Sequence, residues 1–456
     1  GIAQALSVRD RHNADYRQML ADLQGAPGAE LPSGSDLAQF DKGLYGCSEM
    51  FVNGFLWLIR ADIIRRKVYD DLALQRLVSQ KQIGVEVTPQ TLVQLQRAGR
   101  IGTELTADDV AFLKRHGIFK PQVQWVNAEP DGELRVADQV LPASLAPGPA
   151  FDRLCQACLG TSLGGGFIAH GGFFLGPRDF YQTLRDMPAQ QKLRINMSRI
   201  RFINELLGHE ELARLQRKDA RFINTTMMVT LLGAAVSDGL DSGQIVSGVG
   251  GQYNFVAMGH ALPDARSILL LHAWRSHHGK VTSNIIWNYA HTTIPRHLRD
   301  MVITEYGVAD LRGQADVEVI KRLLAIADSR FQDELLATAK MNGKVELEYE
   351  IPQAQRNNRP EVIEARLQRW HDAGLLPDFP LGTDFTDDEL VIVGALTRLQ
   401  HSAGHPLALV KLLLDATVGQ TLGHKEVPEQ YLERMGLQDA HGLKDRLMRA
   451  LFAGNL

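Results

Sequence analysis

Ile303-Thr-Glu-Tyr-Gly-Val-Ala-Asp-Leu-Arg-Gly313 decides the fold of this chain. The lead-in Met301, Val302 and Ile303 is apolar without alternation, the pattern of a strand covered on both faces. The run breaks at Gly307 and leaves Glu305, Tyr306 and Arg312 near the strand's end. Upstream, Ser247-Gly-Val-Gly-Gly-Gln-Tyr-Asn-Phe255 is a glycine-rich turn whose backbone N–H groups can face a ligand. Polar side chains and bare backbone at the carboxyl ends of parallel strands are where open α/β folds bind their ligands. The pair predicts an α/β protein with an open, largely parallel sheet and a site between these two segments.

Composition narrows the class. A chain of 456 residues, 45% hydrophobic and 22% charged, has room for two to four packed domains. A formal net charge of −4 gives no electrostatic footprint for nucleic acid or an anionic membrane. No apolar run reaches the roughly 18 residues of a membrane span, and no signal-peptide pattern opens the chain. Three cysteines argue against a disulfide framework and for a reducing, cytoplasmic setting.

Along the chain, 1–22 has the pattern of an amphipathic helix, and a Gly/Pro/Ser linker follows through Ser35. Gly43-Leu-Tyr-Gly-Cys-Ser-Glu-Met-Phe-Val-Asn-Gly54 leads into an apolar helix reaching about Arg65. Residues of about 70–160 have the character of an insertion, with a β-hairpin signal where Val123–Asn127 and Glu133–Val136 flank Pro130-Asp-Gly132. Phe167–His170 is a short strand entering Gly171-Gly172, and Pro177 opens a helix through Met187. Strands are predicted at Phe222–Leu232, Ile268–Trp274, Val281–Trp287 and Met301–Thr304. Beyond about 340 the pattern turns helical, with a capping box at Thr386-Asp-Asp-Glu389 and a further helix at Leu407–Leu414.

The glycine-rich turn and the Glu305-Tyr-Gly307 strand end together resemble the C-terminal domain of the acetyl-CoA hydrolase and CoA-transferase family. The resemblance covers 43–70 and 165–335, and it implies a CoA-transferase-type sheet with a hairpin-bearing insertion and a helical extension over 341–456. Family members carry a whole α/β domain before this point. The chain here opens Gly1-Ile-Ala-Gln-Ala-Leu6, so residues 1–42 are expected to be the remnant of that domain and a linker.

The chemistry implied is attack of a side-chain carboxylate on acetyl-CoA or another short acyl-CoA. An acyl–enzyme anhydride forms and becomes an enzyme–CoA thioester, and a small carboxylic acid or water completes the cycle. CoA is then a substrate, no metal or redox cofactor is called for, and a homo-oligomer is expected. The family places its glutamate in a strand of the form I-N-S-A-x-E-V-D-L-x-G. The matching run is Ile223-Asn-Thr-Thr-Met-Met-Val-Thr-Leu-Leu-Gly233, which puts Met228 where the glutamate falls. A thioether forms no anhydride, so a covalent route needs another carboxylate. The nearest downstream is Asp238, for which the alternative is a turn cap in an Asp-Gly pair.

Gly248, Val249, Gly250, Gly251 and Gln252 match the family's turn beside the thioester, with Gly250 and Gly251 as oxyanion donors. Tyr45-Gly-Cys-Ser-Glu-Met50 matches G-I-H-[ST]-E-M with Cys47 in place of histidine. Ser48 and Glu49 then border the acyl pocket, or Glu49 serves a helix start. Gly279-Lys-Val-Thr-Ser283 stands where the family has G-K-[IV]-S-R. It keeps Lys280 and Thr282 for CoA and replaces the arginine by Ser283. Glu305, Tyr306 and Gly307 complete the expected binding residues.

Other motifs carry less. Gly160-Thr-Ser-Leu-Gly164 fits G-x-S-x-G, but a helix precedes it and a strand follows, the reverse of a nucleophile elbow. Cys155-Gln-Ala-Cys158 is a lone C-x-x-C without a second ligand pair. His277, His278 and His291 lack metal-ligand spacing and have the pattern of surface or strand-end histidines. Two rivals stand beside the enzyme: a catalytically degenerate acyl-CoA-binding protein and, by fold analogy alone, a sugar-phosphate isomerase.

Overall fold

The computed structural model describes residues 42–126, 132–277, 279–380, 382–403, 428–439 and 442–453. The expected remnant helix at 1–22, the turn centred on Pro130-Asp131, His278 and the helix at Leu407–Leu414 lie outside the described residues. The chain forms two compact units. The first runs to Trp274 and resumes over Ser283–Leu381; the second joins Arg275–Thr282 to Gly382–Leu456.

The first unit is α/β with parallel strands, as the apolar runs predict. The parallel strands, however, are divided between sheets. Gly46–Val52, Ala169–Leu175 and Ile195–Met197 form a three-stranded parallel sheet in that order. Arg221–Thr225, Arg266–Leu270 and Met301–Thr304 form a second, also parallel, which Gly307–Asp310 closes as an antiparallel edge. A third sheet holds Ile285–Ile286 parallel to Met228–Thr230, with Ala235–Val236 antiparallel beyond.

The predicted strand Phe222–Leu232 is therefore two strands in two sheets. The chain switches at Thr226, which is buried and whose hydroxyl bonds the carbonyls of Met228 (3.3 Å) and Val236 (2.8 Å). Likewise, the strand expected to end on entering Gly171-Gly172 runs through both glycines to Leu175. Tight packing explains them: a Cβ at 172 would lie 2.2 Å from Ile200 Cδ1, and one at 171 would lie 3.0 Å from Phe51 Cβ.

Within the first unit, the stretch expected as an insertion has a hydrophobic core of its own. Besides a three-stranded antiparallel meander (Gln124–Val126, Glu133–Val136, Gln139–Pro142), it contains helices Leu72–Ser79, Pro89–Arg97, Ala107–Arg115 and Pro149–Cys158. Leu74, Leu92, Leu113, Phe119, Leu134 and Leu154 fill its core at zero exposure. The chain enters and leaves it through one doorway, where Val68 and Phe167 exchange two backbone hydrogen bonds of 2.8 Å.

Arg312, from the stretch that decides the fold, fixes the helix Gln252–Ala261 behind the glycine-rich turn. Its guanidinium donates to Gly259 O (3.0 Å), Ala265 O (2.8 Å) and the buried Asp300 carboxylate (2.5 Å). Asp300 also accepts from Arg266 and from the Ser267 amide, so one carboxylate ties strand, helix and edge together. In the second unit, Thr386 and Glu389 make the predicted capping box, each side chain meeting the other's amide, at 2.9 and 3.3 Å. Ile392, Leu432, Leu437 and Phe452 form its apolar centre.

Candidate active site

The strand Gly46–Val52 alternates its side chains between two faces, so Cys47, Glu49 and Phe51 share one of them. Phe51 is fully buried against Phe55 and Phe174, which sets the height of the strand. Glu49 is thereby carried to the far end of the glycine-rich turn. Its Oε2 accepts the Gly251 amide hydrogen at 3.0 Å and approaches Asn204 Nδ2 at 3.5 Å. Gly251 precedes the helix Gln252–Ala261, so the carboxylate sits at the positive end of a helix dipole. A side chain at 251 has no room: its Cβ would fall 2.6 Å from Asn204 Nδ2 and 2.7 Å from Glu49 Oε2. Gly250 adopts φ +57°, the left-handed conformation that favours glycine. Gln252 is buried and donates to Thr225 O at 3.1 Å, fastening the turn to the end of a parallel strand. Gly248 and Val249 stand exposed before it.

Asp238 lies just beyond the strand Ala235–Val236, with its carboxylate inside. Its Oδ1 accepts from His291 Nε2 at 3.0 Å and from the Thr293 hydroxyl. The Thr293 hydroxyl and then His291 hold the carboxyl below the usual aspartate range. Met228, opposite Val236 in the register, is 3% exposed and belongs to the interior.

The remaining expected residues are more committed to structure. Glu305 Oε2 accepts the Ala273 amide at 2.8 Å. Tyr306 is buried and donates its hydroxyl to Asp328 at 2.9 Å, and Asp328 in turn takes both arms of Arg330. Burial first, then the hydrogen bond to Asp328, pushes the Tyr306 hydroxyl far up, so it stays protonated. A Cβ at Gly307 would meet Ile326 Cγ2 at 3.2 Å. Ser48 caps its own strand through Met50 O at 2.8 Å. Lys280 and Thr282 lie on the strand Lys280–Ser283 of a two-stranded hairpin in the second unit.

Cys47, in the histidine's place, has Tyr45 and His170 as neighbours. The Tyr45 hydroxyl and His170 Nδ1 lie 2.7 Å apart, and His170 pairs with Cys47 in the sheet register. Burial raises the Cys47 thiol, and the Arg217 guanidinium only partly offsets it, so this cysteine stays a thiol. Cys155 and Cys158 are buried and pushed to about 11, too high for thiolate chemistry at neutral pH. Among the described residues no cluster of three or more His, Cys, Asp or Glu side chains could hold a metal, and no helix is long and apolar enough to cross a membrane.

His291 is the residue that sequence spacing missed. Its partner stands 53 positions away, and what signals it is Gly239, whose absent side chain clears the ring: a Cβ there would lie 2.8 Å from His291 Cε1 and Nε2.

A glycine-rich turn opening a helix presents backbone N–H groups of the kind that can stabilise a developing oxyanion. Residues 176–339 match the acetyl-CoA hydrolase/transferase C-terminal domain. The domain takes in the turn, Asp238, His291 and the Glu305–Gly307 strand end, while Glu49 lies before it. A stretch of 124 residues is 36% identical to the "Probable butyrate:acetyl-CoA coenzyme A-transferase" of Syntrophomonas wolfei, covering 26% of this chain and 28% of that protein. Another of 116 residues is 32% identical to the 4-hydroxybutyrate coenzyme A transferase of Clostridium kluyveri, covering 25% and 27%. The matches thus span little more than a quarter of these relatives. Among solved structures, RipA from Yersinia pestis is similar over 43% of this chain and 42% of its own, at 27% identity and a TM-score of 0.34.

Proposed function

We propose that this chain acts on acyl-CoA thioesters, acetyl-CoA among them, as a transferase or hydrolase working through a side-chain carboxylate. The observation that carries the reading is the hydrogen bond between Glu49 Oε2 and the Gly251 amide. It seats a side-chain carboxylate on the glycine-rich turn that the resemblance sets beside the thioester, in a setting where the family's own glutamate position holds Met228. Asp238, the carboxylate nearest in sequence, has Oδ1 engaged by His291 and Thr293. Glu49 rests on the glycine-rich turn itself, so the nucleophile's role is assigned to it. Attack of Glu49 on the thioester carbon gives an acyl anhydride and releases CoA thiolate. Return of the thiolate onto the Glu49 carbonyl gives an enzyme–CoA thioester and frees the acid. The scheme asks for no metal or redox group.

A second reading, an acyl-CoA-binding protein without turnover, is favoured by the burial of Met228 in the position of the catalytic glutamate. One experiment separates them. The chain is incubated with acetyl-CoA, treated with borohydride or hydroxylamine, digested and analysed by mass spectrometry. A trapped adduct on the Glu49 peptide supports the enzyme, an adduct on the Asp238 peptide moves the nucleophile there, and CoA binding with neither supports the binding protein.

A further inference from the structure

We propose that His291, held by Asp238, is the general base that makes water the acceptor at this site. The inference rests on the acyl-CoA reading above and names the branch of it that ends in a free acid.

Three features build the dyad. The backbone comes first: Thr293 and Ile294 donate to Ala235 O at 2.9 and 3.0 Å, so the segment carrying His291 lies along the strand leading to Asp238. Second, burial is graded. The Asp238 side chain is 10% exposed and the His291 side chain 30%, which puts the carboxylate inside and the imidazole nearer the surface. Third, the ring has a place made for it, because any side chain at Gly239 would strike it. An ionised carboxylate only accepts hydrogen bonds, so Nε2 carries the hydrogen given to Asp238. In the neutral ring Nδ1 then keeps its lone pair, the tautomer a general base needs.

The dyad also lies at the root of the loop leading to the glycine-rich turn. Asp238 O accepts the amides of Val246 (2.8 Å) and Ser247 (3.3 Å), and Gly239 bridges Ile245. From Ser247 to Gly250 is three residues, at most about 10 Å of extended chain, so the dyad is tied closely to the turn that carries Gly250.

In the step, His291 Nδ1 takes a proton from water as the water oxygen bonds to the acyl carbon of the Glu49 anhydride. The bond from that carbon to the Glu49 oxygen breaks, and Glu49 leaves as a carboxylate. The proton passes from His291 to the CoA thiolate released earlier. The sum is acyl-CoA and water giving the acid and free CoA. Asp238 touches no reacting atom and is a positioning residue.

The test measures two reactions of the chain with acetyl-CoA: hydrolysis without an acceptor, and exchange of labelled acetate into acetyl-CoA, which needs no water. His291→Gln should lower hydrolysis about a hundredfold or more and leave exchange within threefold. Imidazole in the buffer should restore part of the hydrolysis to His291→Ala. Asp238→Asn should lower kcat for hydrolysis with KM unchanged. On the unsubstituted chain, a solvent deuterium isotope effect on hydrolysis and none on exchange reads the same proton transfer without a variant. Hydrolysis by His291→Gln at the parent rate, or equal loss of exchange and hydrolysis, overturns the assignment. Exchange without hydrolysis in the parent chain sinks this inference alone, whereas absence of both sinks the acyl-CoA reading as well.

Discussion

Glu49 and Gly251 stand 202 positions apart in sequence and meet in a 3.0 Å hydrogen bond between carboxylate and amide. The contact joins the end of one parallel sheet to the helix start behind another. Glu49→Gln keeps an acceptor oxygen for the amide and removes the nucleophile. We expect it to fold with an unchanged melting temperature and to lose acetate exchange by at least about a hundredfold. A variant that retains exchange would move the nucleophile elsewhere.

Gly251→Ala tests the same contact from the other side. The added Cβ must displace Glu49 or Asn204, at about 1–3 kcal/mol for an overpacked site. Thermal unfolding should show that loss, and exchange should fall with it. Gly248→Ala, where nothing lies within 4 Å of the new Cβ, is the control and should change neither.

Met228→Glu places a carboxyl in a position only 3% exposed. Burial disfavours the charged form, so the new group's folded pKa lies above its unfolded value. The penalty is then absent at pH values below the unfolded pKa of about 4.3 and grows above it. The variant should lose more stability, relative to the parent, at pH 8 than at pH 5. A pH-independent difference would show that the carboxyl finds partners or water.

His170 gives the parent chain an acid limit. Burial, then the Arg217 guanidinium, depress its pKa from 6.5 to about 4. Between those values the unfolded chain binds the proton and the folded chain does not, so stability falls as pH drops. The loss begins near pH 6.5 and is complete below about 4; from pH 7 to pH 5 it amounts to about 2 kcal/mol. Urea unfolding at the two pH values should show this slope in the parent and not in His170→Gln. Equal slopes would assign the acid sensitivity to other groups.

Legibility of this fold followed the range of the interactions. The apolar runs at Met301–Thr304 and Ile268–Leu271 announce buried parallel strands, and Thr386 and Glu389 announce a helix start, because the forces involved act within a few residues. The strand break at Thr226 was hidden, since no glycine or proline marks it between Phe222 and Leu232 and only the Thr226 hydroxyl bonds reveal the switch of sheets. Gly171 and Gly172 suggest a turn, yet they serve close packing against Phe51 and Ile200 that no local pattern encodes. At the site, the glycine turn was visible as a motif, and Glu49 as one residue of another. Their meeting was not, and neither was the Asp238–His291 pair, because both contacts are made by tertiary structure alone.

The doorway at Val68 and Phe167 bears on how the chain folds in time. Pairing Gly46 with Ala169 directly means closing a loop of roughly 120 residues. The insertion has its own core, and once that core forms it draws Val68 and Phe167 together. The remaining loop is then about five times shorter, which lowers the closure cost by about 1.4 kcal/mol. We therefore expect the inserted body to fold first and to template the sheet that carries Glu49. Pulse-labelled hydrogen exchange should find the amides of Leu95 and Leu113 protected before those of Phe51 and Phe173.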